Sequence, residues 1–422
     1  MVIVIGAGLA GLACAHTLTR AGEEVVILEA RSRAGGRCVT DHSLGVPVDL
    51  GASWIHGHRH NPLMHWARRY GCFLRETDYD SFAFYDGSGK LSKEKSREGG
   101  AFYEWVEEWC ERLCYRHPKS TPDLSVAAAM AQDLDRGKTR IDLNDMRIFD
   151  WTLYAKSLDE GIDLGKLTLR YYEDDEPFEG RDYLFEQGYE ELINAIADDL
   201  DIRYEREVKS VDYSAKQCVV WTTHGERYEA DRVVCTLPLG VLKSGKVGFM
   251  PELPDEKSTS IDGLGVGVLN KVAVRFKRAF WDDEEIFGKL SSPYRHAGWV
   301  LNLEPVVKAP VLVGFVAGVD PVMELKDEEI LNLFLSDLEA CFGDAVSRVD
   351  SWTVTRWHED DYALGSYAYV PVGGAGFFYD AMARSVLDRL YFAGEATHRD
   401  HPGTAHGALM SGIRAAEQIL RP

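Results

Sequence analysis

The chain has 422 residues, 45% of them hydrophobic and 11% aromatic, which is ample for burying more than one core and excludes a disordered chain. Its formal net charge of −21 argues against nucleic acid as a partner; the same charge either steers cationic ligands inward or simply keeps the chain soluble. No apolar run is long enough for a membrane span. Eight scattered cysteines without a Cys-x-x-Cys or a Cys/His cluster point to buried thiols and no metal site.

Taken in chain order, Val2–Ile5 predicts a strand, Leu9–Ala21 a helix and Glu24–Glu29 a second strand. A polar loop rich in Arg and Gly follows, Arg31 to Asp41, then Pro47–Gly57. From Asn61 to about Glu160 the spacing of apolar residues predicts helices, with Trp105–Leu113 and Val126–Leu134 the clearest. Period-two alternation returns from Ile202 to Leu237. There Cys218–Thr223 and Arg227–Ala230 flank His224-Gly225 as a hairpin, and Val233–Leu237 predicts a buried strand stopped by Pro238. Strands are expected at Lys271–Phe276, Gly298–Leu303 and Val311–Ala317, and a helix at Asp327–Phe342. The chain closes with a strand at Leu390–Gly394 and a helix at Gly403–Leu420. Strand-and-glycine modules at both ends imply one nucleotide domain assembled from separated segments, with a second domain inserted. With no signal peptide or targeting tail in view, the expected address is the cytoplasm.

Gly6, Gly8 and Gly11 form G-x-G-x-x-G between the first strand and helix. The first allows a tight turn, the second lets the backbone approach a pyrophosphate, and the third lets helix and strand pack closely. Glu29, 18 residues after Gly11, stands where a carboxylate accepts from ribose hydroxyls. The glycines alone do not separate NAD from FAD. The continuation Glu29-Ala30-Arg31-Ser32-Arg33-Ala34-Gly35-Gly36-Arg37 resembles the extension carried by FAD enzymes of the glutathione-reductase type, with Ala30, Arg31, Gly36 and Arg37 continuing the diphosphate site.

The blocks VDLGASWIHG (Val48–Gly57), CTLPLGVLK (Cys235–Lys243), LNKVAVRF (Leu269–Phe276), RWxxDxYAxGSYAYV (Arg356–Val370) and YFAGEATHRDHPGTAHGALMSG (Tyr391–Gly412) resemble the flavin-containing amine oxidase family, most of all its polyamine oxidases. They span nearly the whole chain in the family's order. The resemblance implies an α/β fold with a discontinuous, Rossmann-like FAD-binding domain of the glutathione-reductase type from 1–60, 185–245 and 355–422. An α+β substrate-binding domain with a mixed sheet and helices is implied from 61–184 and 246–354.

The resemblance also implies site roles. Lys271 is the lysine that holds a water against flavin N5; in isolation it also reads as an edge-strand lysine with its head in solvent. His56 faces the substrate amine, as in spermine oxidases, while His58 and His60 read as exposed loop residues. Trp54, Tyr367 and Thr404 are implied at the substrate, with Trp357 and Tyr367 contributing rings near the isoalloxazine. Gly51, Ala52, Ser53, Trp54, Val208, Trp357, Gly394, Glu395, Thr404 and Ala405 are implied along the cofactor. Among these, Glu395 is implied at a ribityl hydroxyl, and the helix start at Thr404-Ala405 at the flavin N1–C2=O edge. Trp352, Tyr362 and Tyr369 are expected in the core.

No cysteine follows Cys341, unlike monoamine oxidases, so the FAD is expected to be non-covalent. The implied reaction oxidises a C–N bond of a spermine- or spermidine-type amine to an imine, which hydrolyses to aldehyde and amine while O2 becomes H2O2. Two alternatives remain at this point: an amine or amino-acid oxidase of the same fold with another substrate, and a flavin-binding redox sensor without turnover. An amino-acid oxidase needs a positive clamp for a carboxylate, for which only Arg170 and Arg295 offer themselves. The acids that would read a distal ammonium are sought among Glu76, Asp78 and Glu173–Glu176.

Overall fold

A computed structural model describes residues 1–118, 121–143, 145–172, 176–290, 298–317 and 324–421. Val2–Ile5 forms the centre of a five-stranded parallel sheet, ordered Ile202–Arg203, Val25–Leu28, Val2–Ile5, Arg232–Cys235, Leu390–Phe392. Both faces of this sheet are covered, which is why its strands read as unbroken apolar runs. Val2 and Val4 pack under helices Leu9–Arg20 and Ala405–Leu420. Ile3 and Ile5 pack against a smaller sheet built from Val208–Asp212, Cys218–Thr222, Arg227–Ala230 and Gly248–Met250. The expected hairpin is present there, with Cys218 opposite Ala230 and Trp221 opposite Arg227.

The second large sheet has seven strands, ordered Val349–Val354, Leu269–Phe276, Val311–Ala317, Val300–Asn302, Ile286–Lys289, Phe82–Asp86, Gly89–Lys90. Alternation along Leu269–Phe276 sends Val272 and Val274 toward helix Asp327–Phe342 and its Phe334 and Leu338. Ala273 points the other way, toward Leu44, Val48 and Phe315. Lys271 shares the parity of Ala273, so the same alternation aims its side chain at the segment around Asp49.

The stretch from Asn61 to Glu160 departs from the helical expectation. Helices Pro62–Arg69, Lys93–Arg116, Val126–Asp135 and Met146–Glu160 are present, but Leu74–Glu76 and Phe82–Asp86 are strands. Phe82 to Tyr85 is too short an apolar run for periodicity to assign. Its state is decided by parallel pairing with Ile286–Lys289, some 200 residues away in sequence, with Phe82 opposite Ile286. Cys14, Cys38, Cys110, Cys218, Cys235 and Cys341 are buried thiols, as expected, whereas Cys72 and Cys114 are half-buried. Among the described residues no helix is long and apolar enough to cross a membrane, and no cluster of His, Cys, Asp and Glu is arranged to hold a metal ion.

Candidate active site

One cavity of about 1480 Å³ runs from the glycine turn at the tip of Val2–Ile5 to the wall formed by helix Met146–Glu160. It exceeds the ~300–1,000 Å³ of an ordinary small-molecule pocket, as a site for an extended dinucleotide with a substrate beyond it must.

At the first end, Gly6 takes a φ of +99° that side chains rarely adopt, and a Cβ on Gly8 would meet nothing within 4 Å. The backbone is therefore open to a ligand at Gly8. Gly11 does not line the cavity; a Cβ there would lie 2.0 Å from the Gly6 carbonyl, so its place is in helix-to-strand packing. Glu29 is buried, with its carboxylate held by the N–H groups of Ala7 at 2.7 Å and Arg31 at 2.8 Å. Ala30, Gly36 and Val208 also line this end. Arg31 pairs with Asp360 at 2.5 Å and stacks over the ring of Tyr362, which lines the cavity together with Tyr369. Tyr362 thus belongs to the cavity wall and not to a core, whereas Tyr369 also packs against the core of helices Lys93–Arg116 and Met146–Glu160, and Trp352 packs against the helix-covered face of the seven-stranded sheet, both as expected. Farther along, Arg37 donates to Glu395 at 3.0 Å, and Glu395 accepts from the Gly403 N–H at 3.1 Å. Thr404 caps helix Ala405–Leu420 by accepting from the Gly407 N–H at 3.0 Å, and with Gly394 and Ala405 it faces the cavity.

The middle is organised by Asn270 and Lys271, adjacent residues that point to opposite faces of an interior strand. Asn270 Oδ1 accepts from the Trp357 N–H at 2.9 Å, tying the LNK block to the RW block. Lys271 is 4% exposed, and its ammonium donates to Asp49 O at 2.8 Å, Gly51 O at 2.6 Å and Ser53 Oγ at 2.6 Å. An edge-strand lysine with a solvated head is thus excluded: strands flank it on both sides. Burial lowers the Lys271 ammonium from its usual value and raises the Asp49 carboxyl, while the attraction between them opposes both shifts. Gly51, Ala52, Ser53 and Trp357 line the cavity here. Gly51 is obligatory, because a Cβ would sit 1.7 Å from the Arg37 carbonyl.

At the far end Trp54 lies against His56, Trp299 and Phe315, with ring centroids 6.1–6.2 Å apart. His56 Nδ1 is 2.7 Å from Asp182 Oδ2, and Asp182 also accepts from the Gly57 N–H and the Tyr79 hydroxyl. Burial alone would raise the Asp182 carboxyl, but these donors hold it below the usual carboxylate value. Tyr367 forms the opposite wall, its hydroxyl donating to Leu158 O at 3.2 Å and Asp159 O at 2.9 Å.

Asp182, Tyr79, Trp299 and Phe315 carry no motif of their own; only Asp182, two residues after Gly180 and opposite the Trp-Ile-His strand, has any local signal. Of the acids sought for a distal ammonium, Asp78 lines the cavity, whereas Glu76 is engaged with Arg181 at 3.2 Å and Glu176 does not line it. Glu173, Asp174 and Asp175 lie outside the described residues, as does Arg295. Arg170 donates to Thr121 O at 2.5 Å and does not line the cavity. His60 is exposed as expected, while His58 is half-buried and accepts from the Arg181 N–H at 2.8 Å.

The sequence pattern of the family described as flavin containing amine oxidoreductase matches residues 9–420. The chain is similar to probable polyamine oxidase 4 of Arabidopsis thaliana, 37% identical over all of this chain and 87% of that protein. It is 34% identical to polyamine oxidase 5 of Oryza sativa subsp. japonica, over all of this chain and 87% of the relative. It is also 36% identical to lysine-specific histone demethylase 1 homolog 2 of the same rice, over 99% of this chain but 57% of that protein. With a dinucleotide cradle, a buried lysine and an aromatic, acidic arm in one cavity, and a family pattern matched along almost its whole length, the chain belongs to the flavin-containing amine oxidoreductases.

Proposed function

We propose that the protein is a polyamine oxidase that binds FAD non-covalently and oxidises a carbon beside a secondary amine nitrogen. The imine is hydrolysed to an aldehyde and a shorter amine, and O2 is reduced to H2O2. The observation that carries this reading is the continuity of the cavity, from the Gly6–Gly8 turn through Lys271 to an arm walled by Trp54, His56 and Tyr367, with Asp182 behind His56. In this reading the FAD-binding part is assembled from 1–60, 185–245 and 355–422, and the substrate part from 61–184 and 246–354.

The residues fit the cofactor. Glu29 offers two oxygens already oriented by backbone N–H groups, Gly8 leaves room for a pyrophosphate, and the helix beginning at Ala405 turns its N-terminus to the cavity. When bound, FAD supplies the hydride acceptor. Cys38, the cysteine that lines the cavity, is pushed up to about 12 by burial and Asp49 and so stays a protonated, unreactive thiol, which supports non-covalent attachment.

The chain's own part is to hold the amine and keep water out. Because ionised Asp182 accepts from His56 Nδ1, a proton is held there, and in the neutral ring His56 Nε2 is the acceptor toward the cavity. That acceptor takes a hydrogen from the substrate nitrogen, while Trp54 and Tyr367 pack against the adjoining methylenes. Lys271 holds its cation beneath the Asp49–Ser53 segment, where it binds and orients a water or the segment itself.

The test is anaerobic reduction of the FAD-loaded protein by single amines. Spermine or spermidine bleaches the flavin, and a peroxide burst follows on admitting O2. Bleaching by tyramine or leucine instead would transfer the reading to another amine or amino-acid oxidase. A flavin that no amine bleaches would make the protein a flavin-binding sensor.

A further inference from the structure

Lys271 brings its N–H donors to three oxygens, Asp49 O at 2.8 Å, Gly51 O at 2.6 Å and Ser53 Oγ at 2.6 Å. The Ser53 hydroxyl turns its own hydrogen toward Asp49 O at 3.4 Å, so its oxygen accepts from the lysine. A neutral amine has two hydrogens and would leave one of these acceptors short, whereas an ammonium supplies all three. The arrangement is that of a cation, and the ring of Phe315, 5.5 Å from Nζ, suits a cation as well.

None of the three oxygens is charged, and burying an ammonium among neutral acceptors is costly. The carboxylate whose charge reaches Lys271 belongs to Asp49, the residue whose carbonyl the lysine already holds. Three single bonds join that carboxylate carbon to that carbonyl carbon, so covalent geometry keeps the two charges close. Asp49 itself does not line the cavity, whereas Lys271 does.

Two donors favour the ionised carboxylate. Thr40, opposite Asp49 in a short antiparallel pair, donates its hydroxyl to Asp49 Oδ1 at 2.6 Å, and the Tyr189 N–H donates to the same oxygen at 2.9 Å. Thr40 Oγ1 in turn accepts from the Glu190 N–H at 3.1 Å, which leaves its hydrogen for Asp49. Cys38, Tyr189 and Glu190 also face Asp49. Burial pushes the Cys38 thiol and the Tyr189 phenol upward, so both stay protonated, and Glu190 is engaged with His42 at 2.5 Å.

We propose that the Asp49 carboxylate is the counter-charge that keeps Lys271 protonated, and that Asp49 is thereby a positioning residue acting on the cofactor only through Lys271. Its action on the cofactor rests on the amine-oxidase reading of the cavity; the pairing itself does not.

The experiment is a double-mutant cycle of Asp49→Asn and Lys271→Met, read by urea unfolding of the full chain at one fixed excess of FAD. Asparagine keeps Oδ1 as an acceptor for Thr40 and Tyr189 and removes the charge. Both partners are charged between the Asp49 value, raised by burial to about 6, and the Lys271 value, lowered by burial to about 8. Within that window they should be coupled by about tenfold or more in the folding equilibrium. The coupling should fade as pH falls through about 6, where the carboxylate takes a proton, and as it rises through about 8, where the ammonium loses one. His42 and Glu190 are common to all four proteins, so their titration cancels. A coupling that is absent near neutral pH, or that does not change with pH, overturns the counter-charge.

The flavin midpoint potential separates this role from a merely structural one. Deleting an anion alone raises the potential, whereas deleting the anion that holds a nearer cation lowers it. Near neutral pH, Asp49→Asn should therefore lower the potential, as Lys271→Met does, and should not lower it in the Lys271→Met background. A rise in Asp49→Asn would mean that Lys271 keeps its proton unaided, and overturns the proposal.

Should Asp49→Asn fail to accumulate, Thr40→Val carries the test. It withdraws one donor, so the carboxyl titrates higher and Lys271 should lose stabilisation by about threefold near the acid edge of the window and by nothing at its alkaline edge. Equal loss at both edges counts against the proposal. The coupling in a protein whose flavin no amine bleaches would sink the oxidase reading only. Bleaching by spermidine in a protein without the coupling would sink the counter-charge only.

Discussion

His56 Nδ1 lies 2.7 Å from Asp182 Oδ2, although 126 residues separate them in sequence. The pairing is made by the short antiparallel contact of Trp54–Ile55 with Tyr183–Phe185, which sets the two side chains at one end of the cavity. Asp182 has a second anchor in the Gly57 N–H at 2.8 Å, so it is held while the imidazole ring it orients stays exposed to the cavity.

Asp182→Asn should therefore act through His56. The amide no longer demands a proton on His56 Nδ1, and the ring loses its charge-assisted bond, worth about 1.5–3 kcal/mol. The expected outcome is a fall of about 10–100-fold in kcat/KM for amine oxidation, with flavin still bound and a modest loss of stability at neutral pH. The acid limb of stability should respond as well. The folded Asp182 carboxyl is held below its usual value, so its contribution is full above about pH 4 and is lost as pH falls through the lower folded value. Urea midpoints of wild type and Asp182→Asn should converge on acidification.

Two glycines of one motif should separate. At Gly11 an added Cβ would lie 2.0 Å from the Gly6 carbonyl, so Gly11→Ala pushes the helix off the strand and costs stability even without flavin, by about 1–3 kcal/mol. At Gly8 the same methyl meets nothing within 4 Å and the φ of −70° suits any residue. Gly8→Ala should leave the flavin-free protein as stable as wild type and weaken FAD binding strongly. Thermal unfolding with and without FAD distinguishes the two; equal loss in the flavin-free state would contradict this division.

Lys271 predicts a pH dependence on the alkaline side. Burial lowers its ammonium from 10.5 to about 8, so between these values the unfolded chain binds more protons than the folded one. Stability from this group then rises with pH across that window. Relative to Lys271→Met, wild type should gain on the order of 2–3 kcal/mol between pH 8 and pH 10.5 in denaturant unfolding. A difference that stays flat would mean that the lysine is protonated throughout and that the carbonyls of Asp49 and Gly51 offset its burial.

Much of the nucleotide end was legible because its signals are local. Gly6, Gly8, Gly11 and Glu29 lie within one strand–helix–strand unit, and their conformational and packing requirements act over a few residues. The parity of Lys271 within an apolar strand was equally legible, since alternation in a strand is a property of the backbone. Tyr362 was misplaced because an aromatic ring in a core and one in a cavity wall have the same sequence signature.

By itself, then, the sequence determined the α/β class, the parallel sheet at the N-terminus and the blocks that identify the family. The tertiary structure alone decided that Phe82–Asp86 is a strand, that Asp182 faces His56, and that Lys271 donates to the carbonyls of Asp49 and Gly51. The physical reason is the range of the interactions: turns, caps and alternation are written within a few residues. Strand partnership and charge balance in a cavity depend on which distant segments the fold brings within a few ångströms.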